Sequence, residues 1–210
     1  MNNLLSEILR PTSFEEITIP DEIKDRLVLM RERGNVMNML FYGKPGSGKT
    51  TMGKLFTDSP NFDSLIINGS LETSVDDVRF KIINFVTSVS LFGRQKICFI
   101  DESDYLSKSS QASLRKVIED YSQNCRFIFT CNEIKKIHPA LCSRLLTISF
   151  DLTTSQLSKF LEIYTEKTLS RLKSHYESID ESRVKRLISM YYPDYRTISN
   201  HLEYEMLICS

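Results

Sequence analysis

The sequence of 210 residues has no tryptophan, only seven glycines and six prolines, and no excess of either charge. Its 27 basic and 27 acidic side chains cancel, which excludes a polybasic protein that holds nucleic acid by bulk charge. No apolar run exceeds five residues, whereas a membrane-spanning helix needs about 18. The first residues lack the basic segment and the long apolar stretch of a secretion signal. We therefore expect a cytoplasmic protein that does not contact a membrane.

The cysteines follow no recognisable pattern. The five cysteines are odd in number, and no two have the CxxC spacing of a zinc or redox motif. Three of them lie in apolar runs, so we expect buried free thiols rather than a disulfide framework or a zinc module. At this length, with 41% apolar residues, the chain can bury a core without such cross-links.

Apolar runs and helical patterns alternate through the first part of the chain. Five runs rich in Ile, Phe, Leu and Cys predict strands covered on both faces, at 35–42, 64–68, 96–101, 126–131 and 146–150. Helices are predicted at 21–33, 74–90 and 109–121, which indicates an α/β fold with a five-stranded parallel sheet. Beyond Phe150 only helices are predicted, at 153–172, 180–191 and 195–207. We expect an α/β domain at 1–150 and a small all-helical domain at 151–210.

A glycine-rich segment follows the first predicted strand. It reads Gly43-Lys44-Pro45-Gly46-Ser47-Gly48-Lys49-Thr50, with Thr51 next, and it fits the phosphate-loop template GxxxxGK[ST]. Its glycines let backbone N–H groups curl around a phosphate, and the start of the following helix adds partial positive charge. We expect Lys49 to reach the β and γ oxygens of ATP and the Thr50 hydroxyl to ligate Mg²⁺.

Two acids end the third predicted strand. Asp101 and Glu102 come 52 and 53 residues after Lys49 and directly after four apolar residues. In parallel sheets ligands bind at the carboxyl edge, so Asp101 is expected to hold Mg²⁺ through water and Glu102 to orient or deprotonate an attacking water. Asn132 ends the next strand and could hydrogen-bond the γ-phosphate or that water. The alternatives are that Asp101 caps a helix, Glu102 is solvated and Asn132 is a turn residue.

The order of these motifs resembles that of a known family, the AAA+ small subunits of sliding-clamp loaders. The similarity is to the replication factor C type and above all to subunits from T-even-like phages. Besides the segments above, the matching residues are Leu9-Arg10-Pro11, Gln111-Ala112-Ser113-Leu114-Arg115, Thr130-Cys131-Asn132, Leu141-Cys142-Ser143-Arg144 and Pro193-Asp194-Tyr195-Arg196. The resemblance implies an AAA+ P-loop ATPase domain followed by a helical lid domain. The family's collar domain has no counterpart before Ser210, so we expect it to be absent from this sequence. The alternatives left open are a fragment, a shortened form, and a subunit whose collar is on another chain.

The resemblance also implies an activity and partners. The protein would use ATP and Mg²⁺ to help open a DNA polymerase sliding clamp, place it on primer–template DNA, and hydrolyse ATP on release. Its partners would be other clamp-loader subunits in a hetero- or homo-oligomer, the clamp and the DNA. Alternatives left open are another AAA+ DNA-processing ATPase, such as a helicase loader or branch-migration motor, a non-hydrolysing structural subunit, and a small-molecule kinase.

Individual roles follow from the same resemblance. Asn132 corresponds to sensor 1, and Arg144 to an arginine that reaches the γ-phosphate on the neighbouring subunit, in trans. Arg196 corresponds to sensor 2 on the lid, and Arg10-Pro11 would lie against the adenine. An arginine brought from outside stabilises charge in the phosphoryl transition state. The family's cysteine after this arginine is replaced by Leu145.

Contacts with DNA and clamp are expected at less specific positions. Gln111 and Arg115 are one helical turn apart and would share a face. The resemblance implies that their helix lies between the ATP site and the DNA, so they would couple the two. Basic residues near the starts of two helices are candidates for DNA phosphate contacts: Arg79, Lys81 and Lys108. Leu91 and Phe92 form an apolar tip that would touch the clamp. Each of these residues also fits an ordinary surface or core position.

Overall fold

The computed structural model describes residues 4–71, 75–90, 93–176 and 178–208. It contains one five-stranded sheet in this part of the chain, with the order β2-β3-β4-β1-β5 and every pairing parallel. The strands are β1 (Met39–Tyr42), β2 (Phe62–Asn68), β3 (Gln95–Asp101), β4 (Cys125–Cys131) and β5 (Leu146–Ser149). The predicted five-stranded parallel sheet is confirmed.

Helices connect the strands and make up most of the chain beyond the sheet. Those in the described residues are α1 (Leu5–Ile8), α2 (Asp21–Glu32), α3 (Lys49–Thr57), α4 (Val75–Thr87), α5 (Lys108–Asp120), α6 (Pro139–Cys142), α7 (Thr154–His175), α8 (Glu181–Tyr191) and α9 (Tyr195–Ile208). The six helices predicted from the sequence are all present, with ends that differ by at most three residues. None of the described helices is long and apolar enough to cross a membrane.

The first strand begins four residues later than the pattern predicted. The side chain of Asn38 accepts a hydrogen bond from the Phe127 N–H at 2.9 Å, and its backbone oxygen accepts one from the Leu146 N–H at 2.9 Å. The side-chain amide therefore takes the place of a backbone partner on one side. Regular pairing of β1 with its two neighbours starts only at Met39.

The central strands are covered on both faces, and the edge strands less completely. On β3, Cys98 and Ile100 lie in a core with residues of α4 and α5, and successive side chains of a strand point to opposite faces. Phe99 therefore faces the other way, where a Cβ on Gly53 of α3 would come within 2.3 Å of its ring. On edge strand β2, Ile66 is 49% exposed. Strand position thus decides which apolar runs are fully buried.

The described cysteines are free thiols in or against the core. Cys98, Cys125 and Cys131 are buried and Cys142 is half-buried, while Cys209 lies outside the described residues. Burial raises the pKa of Cys125 and of Cys131 to about 12, so both thiols stay protonated at neutral pH.

The chain forms two compact units. One comprises the described parts of Met1–Pro20, Lys44–Gly48 and Asp151–Ser210, and the other Asp21–Gly43 and Lys49–Phe150. The second unit contains the sheet. The first has its own apolar core, made by Leu5, Leu9, Leu169, Leu172, Val184, Ile188, Ile198 and Leu202. The division of the sequence into domains at 1–150 and 151–210 stays a prediction.

Within the first unit, polar contacts hold the N-terminal segment on α7. The Lys167 ammonium donates to the Glu15 carbonyl at 2.7 Å, and the Arg171 guanidinium donates to the Arg10 carbonyl at 3.1 Å. Arg171 also pairs with the Glu16 carboxylate. That carboxylate accepts from the Thr12 N–H at 2.6 Å and from its hydroxyl at 3.0 Å. The bond from Arg171 is the main cause that lowers the pKa of Glu16 from 4.5 to about 2.

We predict that Glu16→Gln lowers the stability of the protein in a pH-dependent way. The carboxyl has a lower pKa in the folded state, so its contribution is fully present above about pH 4.5 and is lost as pH falls towards 2. Urea unfolding at a series of pH values from 7 to 3 should show a gap between wild type and variant that narrows below pH 4.5. Glu162→Gln, on the exposed face of α7, is the control. A gap that stays constant down to pH 3 would contradict the assigned contact.

Candidate functional site

The glycine-rich segment forms the turn between β1 and α3. Lys49 is the first residue of α3 and is only 6% exposed, and its ammonium donates to the Gly43 carbonyl oxygen at 2.8 Å. Thr50 and Thr51 follow in the first turn of the helix and are half-buried. The sequence therefore places a buried cation and the positive end of a helix together at the carboxyl end of β1, an arrangement suited to phosphate.

The middle of this loop, Lys44–Gly48, belongs to the first unit and is held there by α9. The Gly46 carbonyl accepts from the Tyr195 N–H at 3.1 Å. Gly46 has a φ of +75°, and a Cβ there would lie 2.0 Å from the Asp194 carboxylate, so only glycine fits. The Asp151 carboxylate accepts from the Lys44 N–H at 2.8 Å. Lys44 and Pro45 are exposed and Ser47 is buried.

The predicted acids lie at the carboxyl end of β3 and are joined to neighbouring elements by two threonines. One Asp101 carboxylate oxygen accepts from the Thr50 hydroxyl at 3.0 Å and also from the Thr130 hydroxyl. Thr130, on β4, is 1% exposed, and its hydroxyl oxygen accepts from the Glu102 N–H at 2.9 Å. The structure thus brings the Thr50 hydroxyl and the Asp101 carboxylate into direct contact.

Glu102 has an unusual backbone. Its φ is +53°, the only positive value outside glycine in the described residues. Such a left-handed conformation costs a residue with a side chain about 1–2 kcal/mol, and it persists only where neighbouring bonds fix it. The Thr130 hydroxyl fixes the Glu102 N–H, and the Glu102 carbonyl accepts from the Tyr105 N–H at 3.0 Å. The backbone from which this side chain projects is therefore fixed by the fold.

Asn132 follows β4 on the same sheet edge. Its N–H donates to the Asp104 carboxylate at 3.1 Å, and the side chain is half-buried. The Ser103 hydroxyl donates to the Thr130 carbonyl at 2.7 Å. These bonds tie the segment after β3 to the end of β4, so Asn132 and the acidic pair are held in one framework.

Gln111 lies one layer further from the acids, on α5. Although polar, it is 1% exposed. Its amide nitrogen donates to the Leu106 carbonyl at 3.0 Å and lies 3.3 Å from the Lys136 carbonyl, and its oxygen accepts from the His138 N–H at 2.7 Å. Gln111 therefore connects the segments that follow β3 and β4. Arg115, one turn later, is exposed, so the two residues have different surroundings.

Arg144, just after α6, is bonded within its own chain. Its Nε donates to the Glu119 carboxylate at 2.6 Å, its Nη2 contacts the same oxygen, and its Nη1 donates to the Ala140 carbonyl and, at 3.1 Å, to the Ser143 hydroxyl. The Arg144 side chain is 30% exposed. The sequence-based reasoning did not identify Glu119.

The remaining predicted residues are mostly on the surface. Arg10 is exposed and pairs with Glu7 at 3.1 Å, Pro11 is half-buried, and Arg196 is exposed on the first turn of α9. Arg79 and Lys81 are exposed on α4. The Lys108 ammonium donates to the Lys136 carbonyl at 2.7 Å. The predicted clamp contacts, Leu91 and Phe92, lie outside the described residues.

Three further site residues were not assigned a role from the sequence. Thr130 bridges Asp101 and Glu102, Asp151 binds the loop N–H, and Asp194 packs on Gly46. A usable signal existed for Asp151, since it is an acid placed shortly after a predicted strand, like Asp101. Thr130 precedes the end of β4 and gives no such signal.

The oxygen atoms at the strand ends fit Mg²⁺ that is bound together with a nucleotide. Thr50 Oγ1 and Asp101 Oδ1 are hard ligands 3.0 Å apart, and in nucleotide sites Mg²⁺ takes few protein ligands and fills its shell with phosphate oxygens and water. In the described residues no group of three or more His, Cys, Asp or Glu could hold a metal ion. The Thr50 hydroxyl and the Asp101 carboxylate are oxygen groups that could serve as two such ligands.

We predict that Gln111→Leu lowers the free energy of unfolding by about 1–3 kcal/mol, because it leaves the buried Leu106 carbonyl and the partly buried His138 N–H without the bonds that Gln111 makes to them. Urea unfolding followed by circular dichroism measures the change. Gln123→Leu, the same substitution at an exposed position, should stay within about 0.5 kcal/mol of wild type. Equal stabilities of the two variants would show that the bonds of Gln111 make no net contribution.

Comparisons with known proteins agree with this geometry. Residues 39–152 match the family described as ATPase family associated with various cellular activities (AAA). The replication factor C small subunit of Archaeoglobus fulgidus is 32% identical over 94% of the chain, and the sliding-clamp-loader large subunit of Enterobacteria phage T4 is 31% identical over 96%. The chain spans 62% and 64% of the lengths of these two relatives.

Among solved structures, the fold is similar to that of the Thermotoga maritima RuvB Holliday junction branch migration motor. The TM-score is 0.71 at 22% identity, over 92% of this chain and 63% of that one, so the similarity concerns the fold alone. The family match covers more than half of the 210 residues and includes both β1 with its phosphate loop and the acidic pair after β3. The chain belongs to the AAA family of ATPases.

Proposed function

We propose that the protein is an ATP-dependent clamp-loader subunit, which helps open a DNA polymerase sliding clamp, places it on primer–template DNA and hydrolyses ATP on release. The observation that carries the proposal is the contact of Thr50 with Asp101 beside buried Lys49. Thr50 and Asp101 supply oxygen ligands for a metal ion, and Lys49 supplies a positive charge for phosphate. The choice of a clamp loader over other AAA proteins is supported by similarity to two clamp-loader proteins over more than nine-tenths of the chain.

Each residue at the sheet edge takes one part in this reaction. Lys49 binds the β and γ phosphates, and Thr50 and Asp101 hold Mg²⁺, which neutralises phosphate charge when bound. Glu102 orients the attacking water and accepts its proton, a role supported by its fixed backbone. Asn132 donates to the γ-phosphate.

Other parts of the chain complete the nucleotide site. The loop Gly43–Thr50 and Thr51 bind the phosphates. Arg10 and Pro11 lie against the adenine. Arg196, on the lid, contacts the bound nucleotide. Arg144 serves the ATP of a neighbouring subunit. Its partly exposed position, on a different segment from Lys49 and Glu102, suits a group that acts on another chain.

Contacts with DNA and clamp are proposed for the α4 and α5 region. Arg79, Lys81 and Lys108 would meet DNA phosphates, with Gln111 and Arg115 as the link to the ATP site. Leu91 and Phe92 would contact the clamp. The cytoplasmic location, which for a viral protein is the host cytoplasm, stays a prediction.

We predict that Glu102→Gln binds ATP normally but hydrolyses it about 10²–10⁴-fold more slowly, because the amide cannot accept the proton of water. Lys49→Ala should instead lose ATP binding. A fluorescent ATP analogue measures binding, and phosphate release measures turnover. Glu133→Gln, an exposed acid close to Asn132 in the sequence, is the control. Normal turnover by Glu102→Gln would show that this acid is not the group that accepts the proton, and absence of turnover in the wild type with clamp and DNA would favour a structural subunit.

The test of the clamp-loader function is ATP turnover by the complete protein with and without its clamp and primer–template DNA, together with molar mass in solution. We predict weak activity alone and strong stimulation when both are present. Arg144→Ala should bind ATP but lose this stimulated turnover by about 10³–10⁵-fold, since a neighbouring site would lack its arginine.

Two outcomes would contradict the clamp-loader proposal. Full turnover by a monomer would show that no second subunit is needed. Stimulation by branched DNA in the absence of a clamp would instead favour a branch-migration motor.

A further inference from the structure

The ion pair between Glu119 and Arg144 is unusual in its bonding. Glu119 is the second-last residue of α5, and its carboxylate is contacted by Nε and Nη2 of Arg144. On the opposite edge of the guanidinium, Nη1 donates to the Ala140 carbonyl and to the Ser143 hydroxyl. Four of the five N–H groups of the arginine are thus used by its own chain, and one on Nη2 is left for another acceptor.

Stability alone does not account for this arrangement. The side chains of Glu119 and Arg144 are 44% and 30% exposed, and an exposed pair contributes little to folding because water screens it. Four bonds on both edges of a planar guanidinium instead fix its position and direction. An arginine held in this way has already lost the rotamer freedom that it would otherwise lose on meeting a ligand.

We propose that Glu119 is a positioning residue that fixes the orientation of the Arg144 guanidinium for insertion into the ATP site of a neighbouring subunit. This inference rests on the proposed function, since it assigns the Glu119 partner of the arginine that acts in trans. Glu119 does not touch the nucleotide. It acts through the orientation of Arg144, where a misplacement of about 1 Å can cost about 10²-fold in rate.

The kinetic test uses the assembled protein with clamp and primer–template DNA. Glu119→Ala should lower the stimulated kcat about 10- to 100-fold and leave the KM for ATP unchanged, because the variant's own phosphate loop is intact. Glu119→Gln, which keeps an oxygen acceptor, should retain most of the turnover. Asp120→Ala removes an acid from the next position of α5 and should behave as wild type. The double variant Glu119→Ala/Arg144→Ala should be no slower than Arg144→Ala alone.

A spectroscopic test needs no partner. In NMR spectra of the isolated chain, the Arg144 Nε–H should exchange slowly with water, because it is bonded to Glu119. In Glu119→Ala its exchange should be as fast as that of the Nε–H of the exposed Arg79. Fast exchange of Arg144 in the wild type would overturn the inference directly.

The kinetic outcomes separate this inference from the proposed function. Wild-type turnover of Glu119→Ala beside a slow Arg144→Ala would overturn only the positioning role. Faster turnover of Glu119→Ala would also overturn it, by showing that the pair holds the arginine back. If Arg144→Ala itself had no effect, the trans arginine of the proposed function would fail, and the positioning role with it.

Discussion

One carboxylate at the end of β3 joins three elements of the second unit. Asp101 accepts hydrogen bonds from Thr50, at the start of α3, and from Thr130, on β4. This is possible because the sheet order places β4 between β3 and β1, so the carboxyl ends of three strands meet beside the start of α3. Hydrogen bonds to an ionised acceptor are stronger than neutral ones, and this carboxylate therefore fixes the carboxyl ends of β3 and β4 beside the start of α3.

The helix α5 connects this buried framework with the surface. Gln111, near its start, bonds the segments behind the acidic pair, and Glu119, near its end, holds Arg144. The two residues are eight positions apart, which along a helix is about 12 Å. Packing of Leu114 and Val117 into the core makes the helix between them a rigid spacer. A change at the acidic pair and a change at Arg144 therefore act on opposite ends of the same helix.

The sequence allowed the prediction of those features that are local in the chain. The phosphate loop, the acids after an apolar run and the Asp180 cap of α8 each depend on a few consecutive residues. Contacts between distant segments could not be predicted in this way. The role of Thr130 depends on the register between β3 and β4, and the pairing of Glu119 with Arg144 spans 25 positions. The late start of β1 depends on the side chain of Asn38 replacing a backbone partner, which no propensity describes.

Burial divides the candidate residues into two groups with different requirements. Lys49 and Thr130 are 6% and 1% exposed, so their charge and hydrogen bonds act in a medium that strengthens electrostatic interactions. Arg144 is on the surface, where water weakens its field until another molecule covers it. If Arg144 acts on the ATP of a neighbour, the same contact that brings it to the phosphate also removes the water that screens it. Turnover would then depend on assembly through two effects of one contact, the approach of the arginine and the exclusion of solvent around it.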